Sequence, residues 1–227
     1  MVLTVHHLQV SQSERIVWLC EELAIPYELK LYKRSPLLSP PAYLALHPMG
    51  AAPVITDGDI TLAESNAITE YILNIYGDGK LVVQPGEKGY AEYLYWLHFA
   101  NGTLQPAFGR AGTLVWAGVS EDNNIRSRVD NKVTQALQLV DNRLGETGAW
   151  LAGKEFTAAD VMTVFTFTTM RKFVRVDLSR YGNILAYLQR VTKREGYRRA
   201  IENGDPELDL KELMGGPSPE PFSGLKR

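Results

Sequence analysis

A single cysteine, Cys20, in 227 residues leaves no partner for an intramolecular disulfide and rules out a Cys-rich zinc or iron–sulfur site. A C-x-x-C pair is missing too, which removes the dithiol signature of redox exchange. Charge of one sign is also lacking. Lys and Arg number 24 against 26 Asp and Glu, interspersed, so there is no basic footprint for nucleic acid or an anionic membrane. No apolar run reaches the ~18 residues of a membrane span, and "MVLTVHH" has neither the basic start nor the apolar stretch of a secretory leader. The cytoplasm is the expected compartment. His6, His7, His47 and His98 match no metal-ligand spacing, so no metal is expected. The His6-His7 pair would point to opposite faces of a strand and reads as structural. Internal repeats are absent.

What is present is an ordinary globular composition, 45% apolar and 22% charged, at a length that fits one compact domain or two small ones. Residues 2 to 8 are apolar and β-branched and predict a strand. Ile16, Leu19, Cys20 and Leu23 then recur at helical spacing and stop before Pro26. "YELKLY" alternates as a second strand, and a Pro-broken stretch holds a short helix from Pro41 to about His47. "APVIT" and "ITL" flank the turn signal "DGD", a hairpin pattern, and "ESNAITEYILNIYG" returns to helical period until Gly77. The first two strands, joined by a crossover helix, should be parallel.

Residues 77 to 89 are rich in Gly and charge and form the best boundary. Beyond them the period is helical, over roughly 90–108, 121–144, 157–172, 183–193 and 195–203, with no convincing strand. The expected organisation is a small α/β domain over residues 1–80 and an all-α domain over 90–227. The last twenty or so residues carry several Pro and Gly and predict an extended or partly ordered tail.

In this order and spacing, "SQSER", "HPMGAAPVI", "LAESNAI" and "FTAADV" resemble the cytosolic glutathione transferases. The likeness is to fungal and bacterial members that carry serine near the first helix, and it spans nearly the whole chain. It implies a thioredoxin-like N-terminal domain followed by an all-helical one, a homodimer, and glutathione as co-substrate.

Glutathione has two carboxylates, an amine and a thiol, so its site needs anion holders, a strand edge and a group that stabilises a thiolate. Glu64 and Ser65 open a helix, where unpaired N–H groups and the dipole would hold the γ-glutamyl carboxylate. The resemblance implies a cis bond between Ala52 and Pro53, with the Ala52 backbone pairing with the cysteinyl part like an added strand; a proline at a strand start needs no cis bond, and both forms stay open. A serine hydroxyl at a helix start would stabilise the thiolate by its hydrogen bond and the dipole, and lowering a thiol pKa by ~2 units takes only about 2.7 kcal/mol. The family spacing, an active serine four residues before an arginine, matches Ser11 and Arg15. Ser13 then fits the N-cap. A boundary shift of one or two residues would exchange the two serines, so both remain candidates for the sulfur.

Cys20, within the helical period, reads as a small apolar core residue and argues against a cysteine-dependent reductase. In "FTAADV", Thr157 and Asp160 form the capping box. Phe108, Trp116, Tyr95 and Phe99 are candidate walls of a hydrophobic substrate pocket formed by the 90–108 helix and the tail. Many relatives carry Lys or Gln where Ala51 stands, leaving Lys33, Arg34 and His47 as possible partners for the glycyl carboxylate. The leading expectation is a transferase joining glutathione to small hydrophobic electrophiles, with a peroxidase side activity. The other reading is a non-catalytic glutathione-binding module of the same fold.

Overall fold

The β-branched run near the N-terminus forms strand β1 (Leu3–Leu8), buried along its whole length. A computed structural model describes residues 2–225. It places β1 inside a four-stranded sheet with β2 (Tyr27–Tyr32), β3 (Val54–Asp57) and β4 (Ile60–Ala63), in the order β2-β1-β3-β4. β1 and β2 are parallel, Leu3 facing Tyr27 through Leu8 facing Tyr32, while β3 and β4 run antiparallel. A parallel pair needs a crossover, and α1 (Glu14–Leu23) supplies it. Gly58, at φ 59°, gives the two-residue β3–β4 turn the left-handed backbone that such hairpins require. After the short α2 (Pro41–Leu44), shorter than the expected 41–47, α3 (Ser65–Tyr76) packs beside α1 and buries Ile68 and Ile72.

Sequence periodicity does not show where residues 195–203 go. They form α9 (Glu195–Gly204), which packs on α1 and belongs to the same compact unit as the sheet; that unit takes in the chain up to Val82, Val191–Asp209 and the described residues from Ser223. Trp18 meets Tyr197 edge-on at 4.8 Å, and Arg194 grips the Glu22 carboxylate at 2.6 and 2.8 Å. Arg199 bonds Glu21 at 2.7 Å. Long-range charge pairing of this kind leaves no local signal in the sequence.

The second unit, Val83–Arg190 with Leu210–Phe222, contains α4 (Tyr90–Phe99), α5 (Gln105–Trp116), α6 (Asn124–Thr147), α7 (Ala158–Phe167), most of α8 (Gly182–Val191) and α10 (Leu210–Leu213). The single helix expected over 90–108 is two, separated by a π-helical turn at Ala100–Leu104. Pro106 has no N–H to continue the ladder, and the wider turn absorbs that break. α7 is buried on every side and begins with the expected box: Thr157 N donates to Asp160 Oδ2 at 3.0 Å. The tail departs from expectation. Arg171 donates to the carbonyls of Gly215 (3.0 Å) and Pro217 (2.6 Å), Phe222 N to that of Lys172, and Leu213 and Met214 are buried. A buried guanidinium holding backbone carbonyls orders a segment that Pro and Gly alone would leave loose.

Candidate active site

The loop from β1 to α1 carries both serines. Ser13 Nα sits at the helix start, but its side chain makes no capping bond. Instead Ser13 Oγ turns back to the end of β1, where it accepts from Leu8 N at 3.1 Å and shares hydrogen bonds with His7 Nδ1 (3.0 Å) and Ser11 Oγ (2.7 Å). Helical backbone angles at Ser13 (φ −67°, ψ −16°) explain the difference, since a capping residue needs an extended backbone to aim its oxygen at the next turn. Both serines are buried, Ser13 at 0% exposure and Ser11 at 6%, so of the two only Ser11 keeps any contact with solvent. The residue before it, Val10, is held at φ 48°, a costly conformation for a β-branched side chain, on the order of 1–3 kcal/mol. Two contacts clamp it: Asp205 Oδ1 accepts Val10 N at 2.8 Å, and Arg34 Nη2 donates to Val10 O at 3.2 Å.

Arg34 also donates to Gln9 O (2.8 Å) and Leu37 O (2.7 Å). Of the three candidates for a glycyl carboxylate it is therefore committed to shaping this loop, and burial lowers its pKa. Lys33 is exposed and His47 half-buried.

The Ala52–Pro53 bond is cis. Ala52 packs on a small cluster of Leu8, Tyr43 and Val54, as does Ala63 at the end of β4. Its carbonyl accepts from Gln12 Nε2 at 2.9 Å, and Gln12 Oε1 accepts from Arg15 Nη1 at 3.1 Å. Arg15 is wholly buried, and the loss of water pushes its pKa down to about 9. A relay through Gln12 thus ties the serine loop to the strand edge. Sequence reasoning assigned Gln12 nothing; its place between Ser11 and Ser13 was the available signal.

Glu64 stands just before α3 at φ 72°, and Ser65, the first helical residue, is buried. A non-glycine residue in this left-handed region costs on the order of 1–3 kcal/mol and is retained where the surroundings over-determine it. The turn leaves the first amides of a 12-residue helix at the end of β4, an arrangement suited to a carboxylate.

Cys20 is buried in α1, and desolvation raises its pKa well above the usual thiol range. A bulky disulfide reagent should label no thiol in the native protein and one after denaturation; rapid native labelling would overturn the core assignment. Among the described residues no group of three or more His, Cys, Asp or Glu could hold a metal, and no helix is long and apolar enough to cross a membrane.

In the helical unit, Phe108 and Phe99 are core, whereas Tyr95 and Trp116 are 50% and 61% exposed. A cavity of about 510 Å³ opens instead between α5, α6 and residues 174–180, with Ala111, Val115, Leu137 and Val174 among its walls. None of the four aromatics lines it.

A mixed four-stranded sheet of this order, a cis-proline just before β3 and a helical unit define a thioredoxin-like plus all-α protein. Family profiles described as the glutathione S-transferase N-terminal and C-terminal domains match residues 11–75 and 105–195. The chain is 32% identical to glutathione S-transferase 3 of Schizosaccharomyces pombe, over 97% of each sequence. It is 29% identical to the Escherichia coli glutathione S-transferase GstB, over 84% of this chain and 93% of that one. A solved glutathione S-transferase from Actinobacillus pleuropneumoniae superposes with a TM-score of 0.82 at 31% identity, covering 92% of this chain and 96% of that one. The protein belongs to the glutathione S-transferase family.

Proposed function

We propose that this family member is an active enzyme that binds glutathione as its thiolate and adds it to small hydrophobic electrophiles, with Ser11 donating to the sulfur. The observation that supports this reading is the hydrogen-bonded pair of serines at the start of α1, of which Ser13 is wholly enclosed and Ser11 alone keeps a little exposure. The amides at Glu64-Ser65 would hold the γ-glutamyl carboxylate, and the Ala52–Pro53 edge the cysteinyl backbone. Residues 1–80 thereby form the glutathione-binding part.

The thiol proton leaves to water, and the Ser11 hydroxyl and the α1 dipole stabilise the anion left behind. The sulfur attacks an electrophilic carbon, forming a C–S bond as the leaving group departs or as the new carbanion takes a proton from water. The same thiolate would attack the terminal oxygen of an organic hydroperoxide, releasing the alcohol; a second glutathione then converts the sulfenic acid to disulfide and water. A cytoplasmic homodimer fits a lone buried cysteine and an exposed Tyr95 at the start of the helical unit.

The test is the ultraviolet absorbance of the thiolate of bound glutathione across a pH series. A pKa below that of free glutathione in the native enzyme, returning upward in Ser11→Ala, is the expected result. An unshifted pKa would make the chain a binding module instead.

A further inference from the structure

Beneath Ser11 lies a buried chain of four polar side chains. Ser11 Oγ and Ser13 Oγ are 2.7 Å apart, Ser13 Oγ and His7 Nδ1 3.0 Å, and His7 Nε2 and Asp205 Oδ2 3.0 Å. His7 and Asp205 are each 1% exposed. Asp205 follows the last residue of α9, Gly204, where an added Cβ would come within 3.2 Å of His7 Nε2. Glycine there lets the carboxylate approach the imidazole.

We propose that His7 and Asp205 are positioning residues that set the direction in which the Ser11 hydroxyl donates; the proposal rests on Ser11 as the thiolate's partner. The hydrogens along the chain can run two ways. If His7 Nδ1 is bare, Ser13 must donate to it and Ser11 then donates to Ser13, so Ser11 turns a lone pair toward the sulfur. If His7 Nδ1 carries a proton, it donates to Ser13, which already accepts from Leu8 N. Of the two acceptors left to Ser13, Ser11 Oγ at 2.7 Å is nearer than Leu8 O at 3.4 Å, so Ser13 donates in turn to Ser11, which also accepts from Ser13 N at 3.2 Å. Both acceptor positions of Ser11 are then filled, and its proton has only the outward direction left.

The burial of Asp205 favours the second pattern. A carboxylate removed from water needs a counter-charge in contact. Arg34 acts on Asp205 through its field and donates to the carbonyls of Gln9, Val10 and Leu37. His7 Nε2 lies 3.0 Å from that carboxylate, and His7 Nδ1 faces Ser13 Oγ at the same distance. A bound thiolate stabilises the same pattern, because only there does it meet a donor. Asp205 also holds Val10 N, so the residue that orients the proton fixes the backbone carrying Ser11.

Nitrogen-15 NMR of the histidine-labelled full chain with glutathione reads the direction at once: both ring nitrogens of His7 protonated is the expected result, and a bare Nδ1 overturns the proposal. The bound-thiol pKa supplies a second readout. His7→Gln keeps a donor to Asp205 but none toward Ser13, and Asp205→Ala removes the anchor. Each should raise the pKa by about one unit, a tenfold loss of thiolate near neutrality. Asp205→Asn, whose amide can donate to His7 Nε2 while its oxygen accepts Val10 N, should restore most of it. Folded His7→Gln with the wild-type pKa would reduce the pair to a structural role; where a variant does not fold, the NMR result decides. A Ser11→Ala variant that leaves the thiol pKa unmoved would strike the underlying reading instead, so the two failures are separable.

Discussion

Ser11→Ala should lower turnover of glutathione with an electrophile such as an activated aryl halide by two to three orders of magnitude near neutral pH. Removing one preorganised donor from a developing or resident oxyanion costs about 10²–10³ in kcat in comparable sites, and a sulfur anion at a helix start is stabilised by the same means. The KM for glutathione should change little. Its γ-glutamyl carboxylate and cysteinyl backbone are assigned to Glu64-Ser65 and Ala52, which the substitution does not touch, and Ser11 acts on the sulfur alone. Raising the pH should recover part of the loss, because the uncatalysed ionisation of the thiol then supplies the anion. Steady-state kinetics at several pH values checks this. A loss under tenfold would mean that another donor holds the sulfur, and Ser13, at 0% exposure, could take that role only if the loop rearranged.

Asp160→Ala should be the most damaging single change to stability. The carboxylate accepts from Leu151 N (3.0 Å), Thr157 N (3.0 Å), Thr157 Oγ1 (3.3 Å) and Tyr187 OH (3.2 Å), all inside the helical unit. Burial nevertheless pushes its pKa up to about 6, so desolvation outweighs even four donors. Alanine takes the acceptor from two buried amides, at roughly 1–3 kcal/mol each, and removes the bond from Tyr187, for a total of about 3–5 kcal/mol. In a chain of this size that lowers the melting temperature by roughly 10 °C. Asp160→Asn keeps one carbonyl oxygen and should lose about half as much. Urea unfolding followed by circular dichroism is the measurement, and a loss below about 1 kcal/mol would show that water replaces the carboxylate.

Both effects sit on residues that the sequence already singled out, but it identified them unequally well. The Asp160 box was legible because its partner Thr157 is three residues away and the helix period begins between them. The assignment of Ser13 to a side-chain cap failed although its position was right, because backbone angles, not residue type, decide where a serine oxygen points. Arg34 could be read as a surface cation; the structure gives it three backbone carbonyls of the serine loop and the turn beyond it.

The sequence by itself determined the order of the four strands and of the helices between them, the parallel crossover and the hairpin. Each follows from hydrophobic period, turn chemistry and caps, interactions that act within a few residues. Only the tertiary structure decided that α9 joins α1, that the tail is pinned by Arg171, that Val10 and Glu64 are held at positive φ, and that Asp205 reaches His7 across 198 residues of chain. Contacts at such separation depend on how finished elements pack. No local pattern encodes them, and the polarity of the candidate site is set there.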